Sequence, residues 1–172
     1  MLDLGLALLR VVIGLTLAAH GAQKLFGWFG GHKIRGTAQF FSSLGLRPAI
    51  FWAVVVGLAE FGGGLLTALG LLGPVGPALL AGNMLGTIIL VHWNKGFWNM
   101  AGGIEFPLTL GAAAVAIALT GFGRYSLDRA FGIDLHEPVY VVAALVIVVV
   151  GALMSYVTTL RARQEAGAAA RA

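Results

Sequence analysis

Residues 49–72 read AIFWAVVVGLAEFGGGLLTALGLL, an apolar run in which Glu60 is the one ionisable residue. A helix rises ~1.5 Å per residue, so about 20 apolar residues cross the ~30 Å hydrocarbon core of a bilayer. Four further apolar runs have the same character, at residues 4–25, 75–92, 105–120 and 138–160. The sequence therefore predicts five membrane-crossing segments.

The composition agrees with a membrane protein. Hydrophobic residues make up 59% of the chain and charged residues 10%, against about 45–50% and about 25% in soluble domains. The chain has 172 residues, and its apolar runs leave no room for a separate soluble domain. Its formal charge of +4 does not indicate a nucleic-acid partner, because no basic run lies outside the membrane flanks.

The chain contains no cysteine. This absence excludes a disulfide relay, a thiolate nucleophile, an iron–sulfur cluster and a Cys-ligated metal carried by this chain. The histidines do not favour a metal site either, because His32 and His136 fall in loops on opposite faces of the predicted bundle. No metal is therefore expected.

The predicted fold class is an all-α integral membrane protein, with a four-helix transmembrane bundle and one additional C-terminal transmembrane helix. Backbone groups in lipid must be satisfied internally, so spans this apolar are helices. The short 73–74 connection makes spans two and three an antiparallel hairpin. Gly82 and Gly86 on span three form a GxxxG pair that allows close helix contact. The abundance of glycine, 26 residues, explains that spacing equally well.

The first connection, residues 26–48, combines two interfacial features. Trp28 lies in an aromatic, glycine-rich turn typical of the membrane surface. Residues 33–44 then place Ile34, Ala38 and Phe41 at helical spacing, opposite polar side chains. This pattern predicts an amphipathic helix that lies along the membrane or caps the bundle.

The basic residues predict an orientation. With five spans, the first and third connections and the C-terminus share one face, which carries eight Lys and Arg residues (Lys24, Lys33, Arg35, Arg47, Lys95, Arg161, Arg163 and Arg171). The other face carries Arg124 and Arg129. The positive-inside rule then puts the loop 26–48 and the C-terminus in the cytoplasm and the N-terminus outside, in a multi-pass plasma (inner) membrane protein.

Polar residues gather near one rim of the bundle. His20, Gln23 and Lys24, spaced i, i+3 and i+4, share one helix face at the end of span one. His92 closes span three and Glu105 opens span four, so both reach the same rim. These five residues are expected to surround one polar pocket.

The residues at the floor of that pocket are predicted from their depth in the membrane. Glu60 lies about 16 Å from the rim by helical rise, near mid-membrane, and Asn83 lies at comparable depth. A Lys24–Glu105 or Lys24–Glu60 pair would neutralise charge, and His20 could exchange protons. Arg10 follows nearly the same stripe as Lys24 but lies near the opposite rim.

Structural explanations compete with these functional ones. Lys24 and His92 could be snorkelling anchors, and Glu105 could be the acidic residue that a helix N-terminus favours. Asn83 could be a hydrogen-bonding contact between helices. An incidental position does not account for Glu60, because a carboxylate at mid-membrane normally has a function or an ion-pair partner.

The motifs carrying these residues resemble the DoxX family of small bacterial membrane proteins. The matching pieces are LR at 9–10, HGAQKLFGWFGG at 20–31, GTAQFF at 36–41, GLAE at 57–60 with GGG at 62–64, GGIEFPL at 102–108 and GRYSLD at 123–128. The resemblance covers roughly residues 4–130. It implies a DoxX-like four-helix membrane domain over residues 1–130 and an extra transmembrane helix with a short tail over residues 131–172.

The resemblance also implies a redox setting. The family takes its name from a subunit associated with an archaeal thiosulfate:quinone oxidoreductase, and a mycobacterial member is linked to a complex with superoxide dismutase and a sulfurtransferase. Neither relation supplies a catalytic residue that can be transferred to this chain.

The leading hypothesis is a quinone- or lipid-binding membrane subunit that supports redox, oxidative-stress or thiol-stress chemistry. A quinone is the expected cofactor, and membrane lipid, a soluble redox partner protein and a second copy of the chain are the expected partners. Electrons must come from a partner protein or a soluble donor, because the chain has no Cys and no flavin or haem motif. The residues assigned to this function are His20, Lys24 and Glu60 as catalytic, Gln23, Trp28, Asn83, His92 and Glu105 as ligand-binding, and Arg10, Gly82, Gly86, Arg124 and Asp128 as structural.

The alternative is a non-enzymatic scaffold that docks partner proteins through the amphipathic helix at 33–44, with Trp28 and Phe29 beside it. The polar residues of the bundle would then be structural. A small-solute transporter is a weaker hypothesis, because the five helices show no clear inverted repeat.

Overall fold

The computed structural model describes residues 1–169, without the side chains of residue 163 and residues 165–169. Arg171, counted in the predicted basic excess, and the last residues of the predicted 131–172 unit lie outside the described residues. The described chain forms seven α-helices, namely α1 (Leu2–Leu25), α2 (Lys33–Leu44), α3 (Ala49–Leu69), α4 (Val75–Thr87), α5 (Glu105–Thr120), α6 (Leu127–Phe131) and α7 (Pro138–Ala169). The prediction of an all-α integral membrane protein is confirmed.

Within the described residues, four helical stretches are long and apolar enough to cross a membrane, namely Leu2–Leu25, Ala49–Leu69, Val75–Lys95 and Pro138–Ala162. The third of them continues α4 through a π-helix at Ile88–His92. Helix α5 begins and ends where the sequence predicts, but it has only 16 residues. Its length is therefore about 24 Å, less than the ~30 Å of the bilayer core.

Helices α1 and α3 run antiparallel in close contact, because glycines face each other across the interface. A Cβ added at Gly14 would lie 2.5 Å from the backbone oxygen of Gly64, and one added at Gly64 would lie equally close to that of Gly14. A Cβ at Gly21 would also collide with the backbone at Phe61. Small residues let helix backbones approach, and packing between such faces holds helices together in lipid.

Helices α3 and α4 form the predicted hairpin, and we call the end of the bundle that carries their connection, residues 70–74, the hairpin end. Near it the helices touch, since a Cβ added at Gly63 would lie 3.2 Å from the backbone oxygen of Gly76. Helix α4 also packs on α5, in a core that includes Leu80, Met84 and Ile117. Helices α1, α3, α4 and α5 therefore form the bundle.

Helix α7 packs against the outside of α4. Gly82 permits this contact, because a Cβ there would lie 2.5 Å from the Cβ of Val148. Gly86, the other half of the predicted GxxxG pair, has no heavy atom of the described part of the chain within 4 Å of an added Cβ. The two glycines therefore occupy different settings, and only Gly82 supports a helix contact.

The amphipathic helix predicted at residues 33–44 is confirmed as α2, and we call the end of the bundle that carries it the α2 end. Its apolar face is used inside the chain. Ala38 and Phe41 are buried against Ala53 of α3, in a cluster that also includes Leu46 and is packed by Leu90 of the π-helix that continues α4. Helix α2 is thus a cap on the bundle.

Polar contacts fasten the hairpin end. Asp128 accepts hydrogen bonds from the backbone N–H groups of Leu72, at 2.8 Å, and Gly73, at 2.6 Å. The buried Arg10 donates to the backbone oxygens of Ala68 and Tyr125. The hairpin, α1 and the loop after α5 are therefore tied together at this end.

Candidate functional site

A partly open cavity of about 560 Å³ lies toward the α2 end of the bundle. Trp52, Val55 and Glu60 line it from α3, and Asn83 and His92 line it from the other arm of the hairpin. The two arms, in contact near the hairpin end, therefore face each other across a space near the α2 end. The volume falls within the range of about 300–1,000 Å³ that small-molecule pockets occupy.

Most of the wall is apolar. Aliphatic and aromatic residues from α1, α2, α3, α4, α5 and α7 contribute to it. The polar lining side chains are His20, Lys24, Glu60, Asn83, Thr87, His92 and Ser155. The pocket predicted from sequence as polar is thus an apolar cavity with a few polar groups, as is usual for sites that bind organic ligands.

Lys24 and Glu60 form an ion pair on the cavity wall. Of the two side chains, Glu60 is 4% exposed and Lys24 is 25% exposed. The pairing of Lys24 with Glu60, one of the two considered from sequence, is confirmed. Burial penalises a lone charge, so the ammonium of Lys24 compensates the carboxylate that Glu60 carries deep in the bundle.

His20 lies one helical turn before Lys24 and also lines the cavity. Its Nδ1 lies 3.2 Å from Oε1 of Gln23. Because an amide oxygen only accepts, Nδ1 of a neutral imidazole is the donor in this contact and Nε2 is left as an acceptor. The amide nitrogen of Gln23 donates to the backbone oxygen of Phe29 at 3.2 Å, so Gln23 connects His20 to the aromatic turn.

Gln23 and Trp28 do not line the cavity. Trp28 lies in the aromatic turn outside the bundle, with more than half of its surface exposed, and its ring packs on Phe26 with centroids 5.1 Å apart. The ligand contacts predicted for these two residues therefore stay predictions.

Asn83 projects from α4 onto the cavity wall. Its Nδ2 atom is buried and makes no hydrogen bond within the described residues. A contact between helices, the structural alternative for this residue, is thus not made by that atom. A buried amide donor without a partner carries a desolvation penalty of about 1–3 kcal/mol, which a ligand acceptor would relieve.

His92 reaches the cavity from the π-helix at Ile88–His92. Its Nδ1 lies 2.5 Å from the backbone oxygen of Gly102, and a carbonyl oxygen only accepts, so this nitrogen is the donor. Single π-turns within helices are rare and are frequent at functional sites. The sequence did not reveal this one, because the residues of Ile88–His92 include no Gly or Pro and continue the apolar pattern of α4.

Glu105 is not among the described residues that line the cavity. Its Oε2 accepts a hydrogen bond of 2.8 Å from the backbone N–H of Asn99, and the residue begins α5. Glu105 thus holds the 96–104 loop and sits where a helix N-terminus favours an acid. Its predicted role in ligand binding has no contact to support it.

The remaining predicted residues are distributed over the fold. Arg10 and Asp128 lie in the contacts of the hairpin end, and the backbone N–H of Arg124 donates to Asp3 at 3.0 Å. Gly86 lines the cavity. Among the described residues, no three His, Asp or Glu side chains lie close enough to hold one metal ion.

Two walls of the cavity were not predicted from the sequence. The first is α7, which was expected only as an extra helix beside the bundle, and it contributes Ile147, Gly151 and Ser155. Helix α2 contributes Phe40 and Phe41. The small residues Gly151 and Ala152 within a run of β-branched residues were the available signal for the first, since they mark a point of close approach or free space.

Comparisons with known proteins find a family profile and relatives that are membrane proteins. The DoxX family profile matches residues 5–93. The chain is 30% identical over 131 residues to Uncharacterized membrane protein Rv3486 of Mycobacterium tuberculosis, covering 70% of this chain and 77% of that protein. It is 31% identical over 129 residues to Inner membrane protein YqjF of Escherichia coli, covering 74% of this chain and 92% of that protein. This chain belongs to the DoxX family.

The family match ends near the end of Val75–Lys95, the stretch that begins with the second arm of the hairpin, whereas the resemblance drawn from sequence extends to about residue 130. The family match includes most of the polar lining of the cavity, namely His20, Lys24, Glu60, Asn83, Thr87 and His92, whereas Ser155 of α7 in this DoxX protein lies outside it. Its relatives and its apolar helices place it in a membrane with several spans. No solved structure matches the chain significantly.

Proposed function

We propose that this DoxX protein binds a quinone in the cavity at the α2 end and serves as a membrane subunit for redox or thiol-stress chemistry. The observation that carries the proposal is the combination of about 560 Å³ of largely apolar space with a buried, unpartnered Nδ2 of Asn83 on its wall. A quinone fits both, because it joins carbonyl acceptors to an apolar ring and tail.

The polar lining groups have distinct roles in this proposal. Nδ2 of Asn83 donates to one carbonyl oxygen, and the ammonium of Lys24 stabilises negative charge that develops on an oxygen. Glu60 and His20 exchange protons with the ligand. A bound quinone supplies two-electron, two-proton redox chemistry, and the residues of this chain hold the ring, exclude water and move protons.

Electrons come from outside the chain in this proposal. The chain has no cysteine, so it carries no thiol redox couple, and a soluble redox partner protein is the expected donor. The basic residues favour a plasma-membrane orientation with the α2 end in the cytoplasm. A cytoplasmic donor would then meet the end of the bundle that contains the cavity.

Two measurements test quinone binding. The first is mass spectrometry of the lipids extracted from gently purified protein, which should contain quinone in stoichiometric amount. The second is titration with a short-chain benzoquinone while the fluorescence of Trp52, which lines the cavity, is followed in a variant whose other three tryptophans are replaced by phenylalanine. Saturable quenching is expected.

Variants make the titration specific. Glu60→Gln and His20→Ala should weaken binding by about tenfold each, equivalent to about 1.4 kcal/mol. His32→Ala is the matched control, because His32 is exposed and does not line the cavity. Equal affinity in all four proteins, together with quinone-free extracts, would exclude the proposed site.

The scaffold is the second candidate, and an exposed aromatic surface favours it. Trp28 and Phe29 stand outside the bundle, and Phe29 has φ 53, an uncommon value for a residue with a side chain. The apolar face of α2 is occupied within the chain, so docking would fall to this turn. The double variant Trp28→Ala and Phe29→Ala should abolish partner pull-down while it leaves the cavity intact, and undiminished recovery would exclude this surface.

A further inference from the structure

The cavity has a side that faces the bilayer. Within residues 1–169, α3 and α7 both pack on α4, but they do not pack extensively on each other. Both line the cavity, with Val55 and Ala59 from α3 and Ile147 and Gly151 from α7. Ile147 is 69% exposed, so its side chain reaches the lipid side of this gap.

At the α2 end, packed side chains lie between the cavity and water. Phe41 and Leu46 are buried where the α2 cap crosses the bundle, and both line the cavity. Apolar groups pressed together in this way bar a charged solute, since burying a polar group without a partner costs several kcal/mol. Where α2 covers the cavity, passage from water would require α2 to lift and expose its apolar face.

The gap lies at a definite depth. By helical rise, Val55 is about 9 Å and Ala59 about 15 Å from the start of α3 at the α2 end. Half of the ~30 Å hydrocarbon core is about 15 Å. The gap therefore opens within the leaflet that borders α2, and not at the bilayer surface.

We propose that the gap between α3 and α7 is a lateral opening through which a long-tailed amphiphile passes between that leaflet and the cavity. The inference deepens the proposed function, because it states where such a ligand comes from and where its tail lies. The polar ring reaches Lys24 and Glu60, and the tail leaves through the opening into lipid. Ligands with different tail lengths can then share one cavity.

Gly151 supplies a way to block the opening. It lines the cavity from α7, and a Cβ added there meets no heavy atom within 4 Å. An added Cβ therefore has open space around it within the described residues, and a large side chain at this position is expected to extend into the opening. Gly86 has the same freedom on the α4 side of the cavity, which makes it a site for a reporter.

The test uses a single-cysteine reporter in this naturally cysteine-free chain. Gly86→Cys is placed in proteoliposomes and reacted at pH 8 either with N-cyclohexylmaleimide, which dissolves in lipid, or with a charged trimethylammonium thiosulfonate added from both sides. The maleimide is expected to label the reporter, and the charged reagent to leave it unlabelled. Labelling is read by mass spectrometry of the intact protein.

Gly151→Trp in the reporter background should slow maleimide labelling by about tenfold, equivalent to about 1.4 kcal/mol of barrier. Gly62→Trp is the matched control, because an added Cβ at Gly62 also meets nothing within 4 Å but the residue lies off the cavity wall. Ile147→Trp blocks the same gap from a second position if Gly151→Trp does not fold.

Two results would overturn the lateral opening. One is labelling by the charged reagent at the rate of the maleimide, which would show access from water. The other is an unchanged maleimide rate in a folded blocking variant. Neither readout depends on a quinone, so the opening can be established when quinone binding fails, and quinone binding can hold when the opening is refuted.

Discussion

Removing Lys24 should destabilise the protein more than removing Glu60, although both belong to one ion pair. Glu60 is 4% exposed and Lys24 is 25% exposed. In Lys24→Met the carboxylate stays buried without its partner, whereas in Glu60→Gln the ammonium of Lys24 can turn towards water on its flexible stem. The two single variants therefore leave different amounts of uncompensated charge.

The magnitudes follow from burial. Breaking a buried pair by removing one partner costs about 3–5 kcal/mol, and the partial exposure of Lys24 reduces this to about 2–3 kcal/mol for Lys24→Met. For Glu60→Gln we expect about 1 kcal/mol, because the remaining charge is only partly desolvated. The double variant should resemble Glu60→Gln alone, with a coupling energy of about 2 kcal/mol between the two positions.

The assay is unfolding in mixed micelles by titration with dodecyl sulfate, followed by far-ultraviolet circular dichroism. A difference of 2 kcal/mol changes the unfolding equilibrium constant by about 30-fold, well within reach of such titrations. Lys95→Met is the matched control, since Lys95 is exposed and has no ion pair among the described residues. Equal effects of the two single variants, with coupling below about 0.5 kcal/mol, would refute the reasoning from burial.

The remaining predictions concern stability. Asn83→Leu should raise the melting temperature by removing a buried unpartnered donor while it weakens quinone binding, and a lower melting temperature would contradict the account of this amide. Gly82→Ala should destabilise by about 1–3 kcal/mol, because its Cβ would meet Val148. Gly86→Ala should be neutral or stabilising by up to about 1 kcal/mol. Asp128→Ala should destabilise by about 2–4 kcal/mol, because two backbone N–H donors lose their acceptor. Thermal unfolding measures the effects of Gly82→Ala, Gly86→Ala and Asp128→Ala.

Helical rise alone predicts that Glu60 lies near mid-membrane. The amphipathic pattern of residues 33–44 likewise predicted α2 at its observed bounds. These features depend on local periodicity, which a single sequence contains. The depth of Lys24 could not be predicted in this way, because the sequence places it near the rim, about 16 Å from Glu60, whereas in the structure it lies beside Gly57 of α3 and pairs with Glu60.

Rotation about the helix axis and the path of the loops could not be predicted in the same way. Glu105 reaches the expected rim, but the 96–104 loop turns so that its backbone satisfies the carboxylate. The π-turn that carries His92 depends on packing around α4 and has no sequence signature. The contribution of α7 to the cavity depends on which face of α4 it covers, a tertiary choice that its uniform hydrophobicity leaves open.

The brevity of α5 has a mechanical consequence for the surrounding lipid. Its 16 residues fall about 6 Å short of the hydrocarbon thickness that its longer neighbours match. Acyl chains beside this flank must compress, or headgroups and water must dip inward to meet the helix ends, and either distortion carries an elastic penalty. Two copies that faced each other across α5 would share one region of thinned bilayer instead of each making its own. The lower elastic cost would then favour their association.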